Sequence, residues 1–218
     1  RALRWRVMLR PLKPGTSVRN LISATMIGFT AVTLVGRPGE LVRPYLISRK
    51  ENLPLSSQIA AWFLERIWDL LAFVVMFGYA MVHIGRSREV LGPRFEVAIQ
   101  AGGYLIVATG VICLIFLVVL NRYSAAMRTR LLDALAFLPE KHHRRADGLV
   151  TAFLDGAAST KNRSTVMLLL LYTVAEWLVI ILSVAFLFGA YPGTAPLAVA
   201  DIITFTAFVA SGSLVQIP

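Results

Sequence analysis

Cysteine occurs once, at Cys113 inside an apolar run, so no internal disulfide can form and the residue reads as a small packing hydrophobe. Acidic residues are scarce, 12 against 22 Lys and Arg, for a formal charge of +10. In a soluble chain that imbalance would point to nucleic acid. Here most of the excess flanks apolar runs, where the positive-inside rule and anionic headgroups account for it, so no nucleic-acid partner is expected. The chain lacks a Gly-x-x-x-x-Gly-Lys-Ser/Thr phosphate loop, a His-Glu-x-x-His pair, a Gly-x-Ser-x-Gly elbow and a Cys/His ligand set. Nucleotide hydrolysis by a phosphate loop is thereby excluded, no metal or cofactor is expected, and no catalytic constellation marks an enzyme. No signal peptide is visible. A chain opening on Arg1 and closing on Pro218 amid apolar sequence is expected to be a piece of a longer protein.

What the chain has in abundance is apolar sequence. Hydrophobic residues make up 57% and the mean hydropathy is +0.69, above the roughly 45–50% apolar share of soluble domains. Uncharged runs long enough to cross a bilayer recur. The sequence predicts one all-α polytopic integral membrane helical bundle over residues 1–218, with one or two re-entrant or broken helices and no sizeable soluble domain. Residues 1–17 read as a basic interfacial segment with Trp5 at headgroup depth. Transmembrane helices are expected over 55–84, 97–120 and 164–190. Gly102, Gly103 and Gly110 give the second a small-residue face for close packing. Residues 121–163 form the one extended polar stretch. Leu131, Leu132, Leu135, Ala136 and Leu138, and again Leu149, Val150, Phe153 and Leu154, recur at helical spacing, predicting two amphipathic helices about a solvated basic turn at Lys141–Arg145. Adjacent His142 and His143 diverge on a helix and make no metal site. Residues 198–218 read as a second broken segment.

The stretch that organises the chain is 18–50. An apolar run from Leu21 to Val35 meets Gly36, Pro38 and Gly39, and the break carries Arg37, Glu40 and Arg43 before Pro44 interrupts again. It admits two readings, a loop with solvated charges or a re-entrant hairpin. Broken backbone at membrane depth is tolerated only against protein or a wet cavity, and half-helices of this kind build transporter sites. Charge favours the hairpin. The N-terminal stretch to Arg19 holds six basic residues, 37–50 four, 85–96 three, 121–163 eight, and the turn at 191–197 none. A hairpin keeps both basic flanks and the 121–163 stretch inside, with the 85–96 loop and the neutral turn outside.

On the next helix Glu65 and Asp69 are four apart and share a face, with Arg66 in reach of Asp69. Each ionisable group within a membrane costs on the order of 2.5–3.5 kcal/mol, so three in two turns imply pairing or a wet cavity. Arg37 and Arg43 are the natural partners. The competing reading places Glu65, Arg66 and Asp69 at the cytoplasmic interface, where they only orient the helix. Glu176, near mid-span beside Trp177, is expected to face the bundle.

These blocks carry a resemblance. Ile27–Lys50 followed by Leu64–Phe73 resembles the lysylphosphatidylglycerol synthase transmembrane-region family, often called flippase-like, whose members pair a Gly-Glu-x-x-Arg block with a Glu-Arg-x-x-Asp block. Here those are Gly39-Glu40-Leu41-Val42-Arg43 and Glu65-Arg66-Ile67-Trp68-Asp69. The Phe153–Ser159 stretch and the Glu176 helix are also similar to the family, and Ile217-Pro218 falls where members carry a Pro-Gly-Gly break. Members often have Asn and Pro where this chain has Val32 and Gly36. Nothing resembles the soluble aminoacyl-transferring domain. The resemblance implies a multi-pass protein of a bacterial cytoplasmic membrane that moves a phospholipid or lipid-linked amphiphile between leaflets. Membrane lipids with anionic or phosphate-bearing headgroups are the implied partners, and a homo-oligomer is compatible. Arg37, Arg43 and Arg66 would receive the headgroup, with Glu40, Glu65 and Asp69 holding the arginines or meeting a cationic headgroup. The alternatives are a membrane enzyme on a lipid-linked substrate, with Glu65 or Asp69 as base, and a lipid-binding scaffold without transport.

Overall fold

The computed structural model describes residues 1–85, 93–134, 140–157 and 162–214. Among these the regular structure is helical: α1 (Ala2–Leu9), α2 (Val18–Val35), a 3-10 turn (Arg37–Leu41), α3 (Val42–Glu51), α4 (Leu55–Gly85), α5 (Pro93–Ala134), α6 (Glu140–Ala157), α7 (Arg163–Gly189) and α8 (Val199–Leu214). Among the described residues three stretches are long and apolar enough to cross a membrane: Val18–Val35, Leu55–Ile84 and Arg163–Gly189. Ala101–Phe116 and Val199–Gly212 are shorter apolar helices. The chain divides into two compact units, Arg1–Ile67 with Phe116–Tyr172, and Trp68–Ile115 with the residues from Thr173 onward.

The first unit is built on a hairpin of α2, the 3-10 turn and α3. Ser17 caps α2, its hydroxyl accepting from the Asn20 N–H at 3.4 Å. Gly36 ends it with φ +74°, a left-handed conformation that a side chain resists. Pro38 then starts the 3-10 turn, where its missing N–H costs nothing. The returning arm packs against α2 so closely that a Cβ on Gly39 would sit 2.5 Å from the Ala31 carbonyl, and one on Gly28 would sit 2.8 Å from the Arg43 Cβ. At the open end the Glu51 carboxylate takes Asn20 Nδ2 at 2.7 Å, Lys13 Nζ at 2.8 Å and the Ser17 N–H at 3.3 Å. Ala31 with Gly39, Gly28 with Arg43, and Asn20 with Glu51 thus define one antiparallel register. The arms match in length: 18 residues of α-helix span about 27 Å, and five of 3-10 plus ten of α-helix about 25 Å. Asn52 stops α3 in the left-handed region at φ 53°, with Pro54 just beyond.

In the second unit Phe73, Met76, Phe77 and Ala80 form the buried stripe of α4 and pack with Ala207 of α8, flanked by Ile106, Trp177 and Ile181. Of the α5 glycines, Gly103 and Gly110 have a neighbour within the chain, whereas Gly102 meets nothing within 4 Å. A Cβ on Gly110 would lie 2.8 Å from Val74 Cγ2, and one on Gly103 would touch Phe77 and Met81. Tyr104, Leu105, Ile112 and Phe186 remain exposed, the pattern of a surface solvated by hydrocarbon.

Three sequence expectations are corrected. The boundary expected after residue 120 is a bend within one helix: Tyr123 leaves helical geometry (φ −122°, ψ 23°) while α5 continues to Ala134. Lys141–Arg145, expected as a turn, lies in the opening turns of α6, because nothing in Lys-His-His-Arg-Arg breaks a helix. Trp5, expected at headgroup depth, is fully buried, because α1 docks Arg4, Trp5, Val7, Met8 and Leu9 inward. Most of the 85–96 loop, Leu135, Ala136 and Leu138, and the Gln216–Pro218 end lie outside the described residues.

Candidate functional site

The break in the hairpin places Arg43 on the first turn of α3, facing α4. Glu65 answers it from α4, and α1 closes over both. Glu65, Arg4 and Trp5 are 0% exposed and Arg43 is 5% exposed. The Glu65 Oε1 accepts from Arg4 Nη2 at 2.8 Å and Arg43 Nη1 at 3.3 Å. Its Oε2 accepts from the Trp5 indole N–H at 2.8 Å and from Arg43 Nη2. The Trp5 ring also lies under the Arg43 guanidinium, 4.7 Å from centroid to Cζ, a desolvated cation–π contact. One carboxylate therefore serves two buried guanidinium groups.

Beside it, Arg66 Nη2 pairs with Glu40 Oε2 at 3.2 Å, and the Trp62 indole N–H donates to the same oxygen at 3.3 Å. This pair is wetter, its side chains 38% and 27% exposed. Between the two groups lies an open pocket lined by Arg1, Thr25, Gly28, Phe29, Val32, Glu40, Arg43 and Arg66. Arg1, Arg43 and Arg66 line it with Glu40, and arginine's planar fork is of the shape that matches a phosphate or carboxylate. Phe29 and Val32 give it an apolar side, and Ile22 and Met26, exposed on the same stripe of α2, continue that side outward.

Of the residues singled out from the sequence, Glu40, Arg43, Glu65 and Arg66 come together here. Arg37 is exposed at the start of the 3-10 turn and is not among the pocket's lining residues. Asp69 and Glu176, both partly buried, belong to the second unit. Sequence reasoning missed Arg4 and Trp5. The signal for them was slight, an Arg-Trp pair in a basic amphipathic segment whose partner lies 60 or 61 residues further on. The second unit holds another polar pair it missed, His83 Nε2 and Asp201 Oδ1 at 3.0 Å, with His83 stacked on Tyr79.

A stretch of 88 residues, 40% of the chain, is 30% identical to the glycosyltransferase AglD of Haloferax volcanii, and spans 14% of that protein's length. No solved structure matches the chain. The family model for the lysylphosphatidylglycerol synthase TM region matches residues 1–218. A helical protein with three membrane-length apolar helices and a match of that extent is an integral membrane protein, and the chain belongs to the lysylphosphatidylglycerol synthase TM-region family.

Proposed function

We propose that this domain moves a lipid with an anionic, phosphate-bearing headgroup between leaflets of a bacterial cytoplasmic membrane, without covalent chemistry on it. The observation that carries the reading is the pocket at the helix break, with Arg43 at its inner wall and an apolar side on α2. The hairpin enters and returns on the cytoplasmic side, and its arms of about 25–27 Å approach the roughly 30 Å thickness of the hydrocarbon. The pocket therefore lies at a depth where a polar headgroup needs shelter while its acyl chains stay in lipid along Ile22 and Met26. The family membership supports a lipid substrate.

The test is leaflet-to-leaflet movement of a labelled anionic lipid in vesicles reconstituted with the parent, Arg43→Lys and Arg43→Gln. Loss of movement in both variants is expected, since lysine keeps the charge but loses the fork that grips two oxygens. Full activity in both, at matched insertion, would remove Arg43 from the site.

A second reading, an enzyme on a lipid-linked substrate, is favoured by the likeness to a protein named a glycosyltransferase. It requires turnover of the lipid to a new species, which mass spectrometry of the recovered lipid would reveal.

A further inference from the structure

The arrangement around Glu65 is redundant in a specific way. Each carboxylate oxygen has two donors, one from Arg43 and one from α1: Arg4 on Oε1 at 2.8 Å, and the Trp5 indole on Oε2 at 2.8 Å. If Arg43 turned away, each oxygen would keep one hydrogen bond and the carboxylate would keep one cation. A buried charge stripped of its only partner is strongly destabilising. Glu65 is protected from that outcome, although it is completely buried. Arg43 is also the group of the cluster that lines the pocket, whereas Arg4, Trp5 and Glu65 do not.

We propose that Arg43 is an exchangeable cation, which leaves Glu65 for the phosphate in the pocket, and that Arg4 and Trp5 are positioning residues that make this exchange possible. The inference deepens the headgroup reading and rests on it. The Trp5 ring supports the guanidinium on one face, so Arg43 can rotate its donors while keeping its stack. Gly28 permits the close approach of the Arg43 Cβ to α2, which leaves the motion to the side chain. The ligand chemistry is a phosphate oxyanion, from a lipid headgroup or from free phosphate.

Binding of two probes to the purified full chain in detergent tests it: short-chain phosphatidylglycerol and inorganic phosphate. Arg4→Met leaves Arg43 as the cation hydrogen-bonded to Glu65, and affinity for the phospholipid should fall by about tenfold, a coupling usual within one buried network. Adding Glu65→Gln to Arg4→Met removes the charge that detains Arg43, and affinity should return to within about threefold of the parent. A merely structural role for Arg4 would not be rescued by a second loss of charge. Trp5→Phe keeps the ring and removes the N–H, and should weaken binding by about threefold. Met8→Ala, which loosens α1 without touching the cluster, should lower the melting temperature and leave affinity unchanged. Trp5→Phe decides the matter if Arg4→Met does not fold. Parent-like affinity in Arg4→Met or Trp5→Phe, or no rescue in a folded double variant, would overturn the exchange. Phospholipid binding well above that of phosphate supports a lipid source, and equal binding supports a free anion in the same exchange. No binding by the parent, or parent-like binding by Arg43→Gln, would overturn the headgroup reading and the exchange with it.

Discussion

Arg43 and Glu65, 22 residues apart in the chain, meet fork to fork, both terminal nitrogens of one on both oxygens of the other. This contact joins the return arm of the hairpin to the next helix at the place where the backbone is most broken. It makes the carboxylate and the helix break one structural unit, and the consequences can be measured.

Glu65→Gln removes the buried carboxylate that Arg4 and Arg43 both bond, and should cost about 3–5 kcal/mol. Glu40→Gln removes half of a partly exposed pair and should cost about 0–1 kcal/mol. Thermal unfolding in detergent separates the two. Equal losses would mean that burial at Glu65 is not what distinguishes these ion pairs.

Gly39→Ala drives a Cβ into the Ala31 carbonyl carbon and oxygen at 2.5 Å. Backbone cannot step aside as a side chain does, so the turn must open, at a cost of about 1–3 kcal/mol or more. Gly15→Ala, with nothing within 4 Å, is the matched control. Protease sensitivity of the 36–44 segment should rise in the first variant alone.

The two ends of the hairpin should label from the same side. With Cys113 replaced by alanine, Arg10→Cys and Arg49→Cys, both exposed positions, should react with an impermeant thiol reagent only from the cytoplasmic face. Labelling from opposite faces would make α2 a full crossing.

Glu51 gives a pH signature at the open end of the hairpin. Burial alone would raise its carboxyl, but the bonds from Lys13 and Asn20 outweigh it and hold the group below the usual glutamate value. A lowered native pKa stabilises fully above the unfolded value of about 4.3, and the contribution is lost as pH falls through the native one. The melting-temperature gap between the parent and Glu51→Gln should stay constant from neutral pH to about 5 and close below about 4. A gap that closes above pH 5 would contradict the assignment.

Much of this was legible in the residues. Three breakers within Gly36–Gly39 announce a turn, and Glu40, Arg43, Glu65 and Arg66 declare themselves because charge in apolar sequence is costly and must pair. Composition could not reveal where α1 goes. Basic and aromatic residues at helical spacing fit a membrane surface and a docked strap equally well, and only the tertiary partner at Glu65 decides. The bend at Tyr123 was invisible for a related reason, since a helix leaving the apolar zone need not stop where its composition changes. Lys141–Arg145 misled because a run of charge was read as a loop, although lysine and arginine are good helix formers.

The direction of the Arg4, Arg43 and Glu65 cluster along the chain has a consequence for biogenesis. Synthesis runs from the N-terminus, so both cations are made before the anion they share. An arginine awaiting its partner can reach the headgroups with its long stem, whereas a glutamate at Glu65's depth has a short arm and cannot. The chain thus emerges in the order that spares it a stranded carboxylate. When α4 enters, Glu65 finds both guanidinium groups already present, and its arrival joins α1 and α3 to α4.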